Sequence, residues 1–143
     1  MGNKIVECGE VGEAQKFKIC NNMANGVEMA SIAEALHLSK KLGLDPVVMA
    51  KIMCNSTAKC YAVDTKTPIS GVLDHPVPAD EDYEFGFASK LMVKDMSIAL
   101  EVAQKVGARV PLSEATSKLY QGLVEAGLES KDISVLYREL DRK

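Results

Sequence analysis

One lysine and three asparagines have spacings that bring them to the same side of a helix. Successive helix residues advance by about 100°, so Asn22 and Asn25 fall within about 40° of Lys18, and Asn21 within about 60°. The amides offer uncharged donors and acceptors beside the amine. Near a helix N-terminus, the dipole and lost hydration both favour the neutral amine, the form that accepts a proton near neutral pH. On spacing alone, a solvated lysine with surface amides is the commoner case.

Small residues precede this polar notch. They are Gly9, Gly12 and Ala14, and the small size of Gly12 and Ala14 leaves room for a ligand on its N-terminal side. Their spacing is not Gly-x-Gly-x-x-Gly, and no second strand follows as a βαβ unit requires. We therefore interpret them as space beside the notch, and not as a pyrophosphate-binding loop.

A second pair of lysines follows further along the chain. Lys90 and Lys94 are four residues apart in a helical pattern, which places both on one helix face. Such a pair more often forms a solvated helix edge than a ligand site, so the spacing by itself assigns it no function.

Composition excludes several classes of function. The chain has 143 residues, 47% of them hydrophobic, with a net charge of −3 and a pI near 5.4. It is long enough for one domain, has no basic stripe for nucleic acid, and lacks the run of about 18 apolar residues that spans a bilayer. We expect a soluble, intracellular protein. The cysteines and histidines lack the short spacings of a zinc site, so we expect no metal; these residues are Cys8, Cys20, Cys54, Cys60, His37 and His75. Nothing suggests a secreted scaffold, so we expect all four cysteines to be reduced.

Helical periodicity dominates the chain and predicts an all-α domain. We expect a long helix over 13–42, a shorter one from Asp45-Pro46 to about 53, a helical turn near 59–63, and helices over 87–106, 111–126 and from 130–132 to about 140. Prolines make 65–82 a long loop. Residues 3–8 have the pattern of a short strand. The predicted core includes Phe17, Leu42, Val102 and Val106 among other apolar residues.

Three motifs resemble the β-hydroxyacid dehydrogenases, specifically the C-terminal domain of their 3-hydroxyisobutyrate branch. Gly9, Gly12, Lys18 and Asn22 align with the family signature Gly-x-x-Gly-x-Gly-x-x-x-Lys-x-x-x-Asn, from which Ala14 departs. The segment Leu91-Met92-x-Lys94-Asp95-Met96 resembles the family segment Leu-Met-x-Lys-Asp-Leu. The segment from Asn55 to Tyr61 occupies the place of one near the substrate, with tyrosine at the expected tryptophan.

The resemblance implies a role for each matching residue. Lys18 is the expected catalytic acid/base, and Gly12 and Asn22 are the expected substrate-binding residues. Lys94 and Phe87 are the expected cofactor-binding residues. Lys94 is expected to reach the nicotinamide end of NAD, and Phe87 to border the active site. The implied fold has residues 1–9 as the last strand of a missing nucleotide-binding domain, and 10–143 as a helical substrate and dimerisation domain that begins with the interdomain helix.

The implied reaction is NAD-dependent oxidation of 3-hydroxyisobutyrate to methylmalonate semialdehyde, in valine catabolism. The chain has no dinucleotide fingerprint, so we expect it to be an inactive half that needs a Rossmann domain and that forms a homodimer or tetramer. The expected location is the mitochondrial matrix in a eukaryote and otherwise the cytoplasm. Two alternatives stay open: a related tartronate or succinic semialdehyde reductase, and a non-catalytic helical assembly module.

Overall fold

A computed structural model describes residues 5–142 of the chain. Within this range lie six α-helices and two short 3₁₀ turns, and no sheet, which confirms the predicted all-α fold. The helices are α1 Glu13–Lys41, α2 Pro46–Cys54, α3 Tyr61–Asp64, α4 Ser89–Val106, α5 Pro111–Glu125 and α6 Leu136–Asp141. The 3₁₀ turns are Pro78–Glu81 and Ile133–Val135. None of the helices described here is both long enough and apolar enough to cross a membrane.

The long helix α1 organises the domain because it packs against each of the other five α-helices. Its 29 residues extend about 43 Å. Its fully buried residues begin only at Gly26; Met23 is partly buried against the core, and residues 14–18 are exposed. The helix therefore has a packed C-terminal half and a projecting N-terminal half whose exposed end carries Lys18, while Asn22 is partly buried against α4.

Gly26 allows α1 and α4 to approach each other closely. A Cβ at this position would lie 2.9 Å from the sulfur of Met92 and 3.1 Å from that of Met96. From α5, the buried Tyr120 hydroxyl donates a hydrogen bond to the Gly26 carbonyl at 2.9 Å. These contacts join three helices directly below the projecting half of α1.

The structure corrects two predicted secondary-structure boundaries. Residues 5–8 form no strand, because a lone strand has no partner for its backbone groups; residues 3 and 4 lie outside the described range. The helix predicted from 87 begins at Ser89, because Phe87 and Ala88 instead pair with the segment around Asp132.

The predicted core was too wide. Phe17 is 60% exposed, Leu42 68% and Val106 72%, and Val102 is also exposed. Helical spacing places these residues on apolar stripes, but the ends of α1 and α4 extend past the neighbouring helices. The buried core instead lies around Met29, Leu36 and the α4–α5 contact, so large apolar side chains remain on the surface.

Candidate active site

Three of the predicted site residues line one cavity between α1 and α4. Lys18 and Asn22 face it from α1, and Lys94 faces it from α4. Its volume is about 240 Å³. The other lining residues are Gln15, Ile19, Asp95 and Ile98. We call this the Lys18 cavity. Residues that are 72 or more positions apart in the sequence thus meet at one place.

Asp95 connects Asn22 and Lys94 across this cavity. Its Oδ2 accepts a hydrogen bond from Asn22 Nδ2 at 2.7 Å, and its Oδ1 lies 2.9 Å from Lys94 Nζ. The carboxylate side chain is only 11% exposed, whereas the Lys94 side chain is 60% exposed. Because an ionised carboxylate only accepts, it turns the amide NH₂ of Asn22 towards itself. Asp95 thereby orients Asn22 and restrains Lys94.

Lys18 itself is exposed, which corrects the expectation of a partly desolvated amine. The reason is its position on the projecting half of α1, where no described residue from another helix covers it. No carboxylate within residues 5–142 lies within 4 Å of its Nζ, whereas the preceding Lys16 pairs with Glu13 at 2.7 Å. This chain therefore presents Lys18 as an accessible amine at the mouth of the cavity.

Phe87 lies on the other side of Asn22, at a second cavity of about 190 Å³. This cavity, which we call the Phe87 cavity, is lined by Asn22, Asn25, Met29, Tyr61, Lys66, Phe87, Asp132 and Ile133. Asn22 belongs to both cavities. Phe87 and Lys94, expected to contact the same end of a cofactor, are thus separated by Asn22. Of the segment from Asn55 to Tyr61, Tyr61 lines this cavity.

Asp132 supports the Phe87 cavity and was missed as a functional residue by sequence reasoning. It is 4% exposed, and its Oδ2 accepts the Phe87 N–H at 2.6 Å. Its Oδ1 accepts from both the backbone N–H and the hydroxyl of Ser134, at 2.9 and 2.5 Å. The sequence signal was Asp-x-Ser at a helix start, which we used only to mark where the last helix begins. Asp95 was likewise visible only as part of the Lys94 motif.

Gly12 is required by its backbone conformation. Its φ of +99° is in the left-handed region, directly before α1, and a Cβ there would meet nothing within 4 Å. It lines neither of the two cavities described above. The expected substrate contact of Gly12 stays a prediction.

The thiols are all free, and burial makes two of them less reactive. Burial raises the pKa of Cys54 and of Cys60, which disfavours the nucleophilic thiolate. Within the described part of the chain, no three His, Cys, Asp or Glu side chains come close enough to hold a metal ion.

Known proteins are similar to this chain along nearly its whole length. Residues 12–140 match the family described as "NAD-binding of NADP-dependent 3-hydroxyisobutyrate dehydrogenase". The chain is 41% identical over 137 residues to 3-hydroxyisobutyrate dehydrogenase, mitochondrial, of Drosophila melanogaster, and 38% identical over 140 residues to that of Homo sapiens. A solved structure of Mycobacterium tuberculosis 3-hydroxyisobutyrate dehydrogenase with L-serine superposes with a TM-score of 0.90 at 34% identity.

These matches cover this chain and less than half of each relative. The match to the fly protein covers 96% of this chain and 42% of the relative, and the match to the human protein covers 98% and 41%. The match to the mycobacterial structure covers 98% of this chain and 47% of that one. Lys18, Asn22 and Lys94 all fall within the matched residues. The resemblance inferred from the sequence motifs is confirmed, and the chain belongs to the family "NAD-binding of NADP-dependent 3-hydroxyisobutyrate dehydrogenase".

Proposed function

We propose that this chain supplies the acid/base half of a dehydrogenase that oxidises 3-hydroxyisobutyrate to methylmalonate semialdehyde with NAD or NADP. The observation that carries the proposal is the shared cavity of Lys18, Asn22 and Lys94 between α1 and α4. The names of the related proteins support the same reaction. Such a step belongs to valine catabolism.

In this proposal Lys18 is the group that moves the proton. Its Nζ removes the proton of the substrate hydroxyl in oxidation and returns it in reduction. Asn22 has its NH₂ group committed to Asp95, so its Oδ1 faces the substrate as an acceptor. The hydroxyl thereby gains a second contact that orients it towards the amine. Gly12 keeps the start of α1 free of side chains beside the substrate.

The residues present fit the nicotinamide end of a dinucleotide. Lys94 lines the Lys18 cavity, and its ammonium is a donor suited to oxygen atoms of a cofactor. Phe87 would contact the same region from the other side of Asn22. When bound, the cofactor supplies the redox step by accepting hydride at C4 of the nicotinamide. The remainder of the cofactor is proposed to bind a Rossmann domain that this chain does not contain.

That second domain also explains how an exposed lysine works as a base. Phe17, 60% exposed, and Val11, fully exposed, precede Lys18 by one and seven residues in the sequence. Apolar side chains there favour coverage by another protein surface. The cover excludes water from Lys18 and favours its neutral form.

The test is Lys18→Ala in the chain joined to its nucleotide-binding domain. We expect kcat to fall by about 10²- to 10⁴-fold, the usual contribution of a positioned acid/base. The matched control is Lys16→Ala, on the same helix turn, where an exposed pair with Glu13 is lost without effect on turnover. Turnover by Lys18→Ala equal to that of the parent rejects the catalytic role and favours the non-catalytic assembly module.

The names of the related proteins support 3-hydroxyisobutyrate as the substrate, and kinetics with three hydroxy acids test it directly. A tartronate or succinic semialdehyde reductase would use the same lysine with a pocket of another shape. The ratio of kcat/KM for 3-hydroxyisobutyrate, glycerate and 4-hydroxybutyrate separates these enzymes. We expect 3-hydroxyisobutyrate to have the highest value.

We also propose a homodimer or homotetramer, because large apolar side chains of α1, α2 and their connection are exposed. They are Leu38, Leu42, Leu44, Val48 and Ile52. Light scattering of the chain measures its mass directly. For the location we propose the mitochondrial matrix if the source is eukaryotic, as in the names of the fly and human relatives, and the cytoplasm if it is bacterial.

A further inference from the structure

The segment from Asp82 to Phe87 has an unusual backbone. Asp82, Tyr83 and Phe85 have φ values of +50°, +62° and +57°, in the left-handed region that residues other than glycine seldom adopt. Such conformations persist only where surrounding contacts hold them, and they are concentrated at active sites and ligand-binding segments. Because this segment leads directly to Phe87, the contacts that hold it also determine where Phe87 lies.

Asp132 holds this segment at two points. Its backbone N–H donates to the Tyr83 carbonyl at 2.8 Å, and its carboxylate Oδ2 accepts the Phe87 N–H at 2.6 Å. Asp132 is 4% exposed and lines the Phe87 cavity together with Phe87. The close approach is possible because Gly86 has no Cβ, which would lie 1.9 Å from Oδ2. One buried residue therefore restrains both Tyr83 and Phe87.

The neighbouring Lys131 holds only the beginning of the segment. Its Nζ donates to the carbonyl and to the carboxylate of Asp82, at 2.9 and 2.6 Å. Within residues 5–142, the backbone of Phe87 is held by the Asp132 carboxylate and by the Ile133 N–H, which donates to the Phe87 carbonyl at 3.0 Å. Loss of the carboxylate bond would thus loosen Phe87 while the beginning of the segment stays in place.

The two oxygens of Asp132 have separate partners. Oδ1 accepts the backbone N–H of Ser134 at 2.9 Å and its hydroxyl at 2.5 Å, and so caps the 3₁₀ turn Ile133–Val135. Asparagine caps a helix about as well as aspartate, because one acceptor oxygen is enough. The second oxygen of Asp132 is the one that accepts the Phe87 N–H. An amide at this position can therefore retain the cap and lose only the Phe87 contact.

We propose that Asp132 is a positioning residue for the reaction and that it acts on the ligand through Phe87. Its Oδ2 fixes the Phe87 N–H, and the ring thereby keeps one position at the cavity that it shares with Asn22. A hydroxy acid held by Asn22 then meets a ring that is already in place, so binding does not have to order it. The reaction rests on the proposed function; the dependence of Phe87 on Asp132 does not.

Asp132→Asn tests the proposal in the chain joined to its nucleotide-binding domain. The amide keeps an acceptor oxygen for Ser134 and turns its NH₂ towards the Phe87 N–H, so Phe87 loses its acceptor. We expect KM for the hydroxy acid to rise about tenfold with a smaller change in kcat, as the loss of a hydrogen bond to a charged group allows. A merely structural role would reduce the amount of folded enzyme, which lowers the apparent kcat and leaves KM unchanged.

A double-mutant cycle shows whether the effect passes through the ring. Phe87→Ala removes the ring, so adding Asp132→Asn to it should raise KM further by less than about twofold. Ser134→Ala is the matched control, because it removes a donor on the cap side and leaves the acceptor of the Phe87 N–H in place; KM should not change. Parental KM in Asp132→Asn, an equal rise with and without the ring, or an equal rise in Ser134→Ala overturns the proposal.

Hydrogen exchange of the chain itself tests the contact without any turnover. The Phe87 N–H of the parent should exchange at least about tenfold more slowly than the Phe85 N–H, which has no acceptor within residues 5–142. Asp132→Asn should remove this protection, and Ser134→Ala should retain it. An unprotected Phe87 N–H in the parent overturns the proposal even if no Asp132 variant folds.

The proposed function and this inference fail in different ways. Parental kcat of Lys18→Ala with a ring-dependent rise in KM for Asp132→Asn would reject the catalytic assignment of Lys18 and retain the role of Asp132. A lowered kcat of Lys18→Ala with parental KM in Asp132→Asn would retain catalysis by Lys18 and reject the positioning role.

Discussion

Asp95 decides how two of the candidate site residues face the Lys18 cavity. Asn22 has an amide whose oxygen and nitrogen ends would otherwise be interchangeable, and the carboxylate selects the nitrogen end at 2.7 Å. The same carboxylate holds the long, flexible side chain of Lys94 at 2.9 Å. A single partly buried acid therefore orients Asn22 and pairs with Lys94.

Asp95→Ala should lower kcat/KM for the hydroxy acid by about 10- to 100-fold, the loss of one hydrogen bond to a charged group. Asn22 is then free to present either end, and Lys94 loses its restraint. Steady-state kinetics of the chain joined to its nucleotide-binding domain measure the change. Asp74→Ala, at an exposed loop position, is the control. An Asp95→Ala variant with parental kcat/KM and unchanged Asn22 amide resonances would show that Asp95 positions neither residue.

The start of α4 is held by pairing with the segment that precedes α6. The Phe87 carbonyl accepts from Ile133 N–H at 3.0 Å, and the Lys131 carbonyl accepts from Ser89 N–H at 2.8 Å. Gly86 makes this pairing possible, because a Cβ there would lie 1.9 Å from Asp132 Oδ2. The position of Phe87 at its cavity thus depends on a residue without a side chain.

Gly86→Ala should lower the free energy of unfolding by about 2–4 kcal/mol, from steric displacement of Asp132 and loss of its bond to Phe87 N–H. Chemical denaturation measures the change. The control is Gly122→Ala in α5, where a Cβ meets nothing within 4 Å. That variant should be more stable than the parent by about 0.5–1 kcal/mol, because alanine favours a helix. Equal stability of Gly86→Ala and parent contradicts the close approach.

Asp141 connects α6 to the C-terminal end of α1. Its carboxylate accepts a hydrogen bond from Lys40 at 2.5 Å, and this bond holds the pKa of Asp141 below its ordinary value of 3.8. Lys41 and His37 lie further from the same carboxylate, at 3.9 and 3.8 Å. A carboxyl whose pKa is lower in the folded state stabilises the fold above the unfolded-state pKa, and the stabilisation is lost as the pH falls through the folded-state value.

Asp141→Asn should therefore be less stable than the parent at neutral pH, and the difference should disappear as the pH falls below 3.8. Thermal unfolding of both proteins between pH 7 and pH 2, for example, measures it. At alkaline pH the pair weakens because Lys40 loses its proton. The same bond raises the pKa of Lys40 above its ordinary value of 10.5, so the ammonium is lost only as the pH rises through that raised pKa. A difference in stability that persists in acid would assign the effect to packing.

The molecule as a whole has a packed end and an open end. The core surrounds the second half of α1, while Lys18 and the Lys18 cavity lie on the projecting half. The chain also spans less than half the length of its relatives. This asymmetry explains why the candidate acid/base is exposed here and why the proposed function requires another domain.

The purified chain alone should not reduce NAD or NADP in the presence of 3-hydroxyisobutyrate. It lacks the dinucleotide fingerprint, and nothing in residues 5–142 covers Lys18. Absorbance of the reduced nicotinamide measures the reaction, and the chain joined to its nucleotide-binding domain is the positive control. Sustained turnover by the chain alone would contradict the half-enzyme proposal.

Much of the fold was accessible from local sequence signals. Asp45 followed by proline predicts the start of α2, and its carboxylate does accept the Val47 N–H at 2.8 Å. Gly43 and Gly107 mark helix ends with left-handed backbone conformations. The exposure of Leu42 and Val106 was not accessible, because an apolar stripe has the same period whether or not another helix covers it.

The amino-acid sequence by itself determined the all-α fold and the motifs that contain Lys18, Asn22 and Lys94, because helix periodicity and motif spacing are local properties. The assembly of those residues at one cavity depended on tertiary packing. Gly26 lets α1 and α4 approach closely, and Asp95 then reaches Asn22 from 73 positions away.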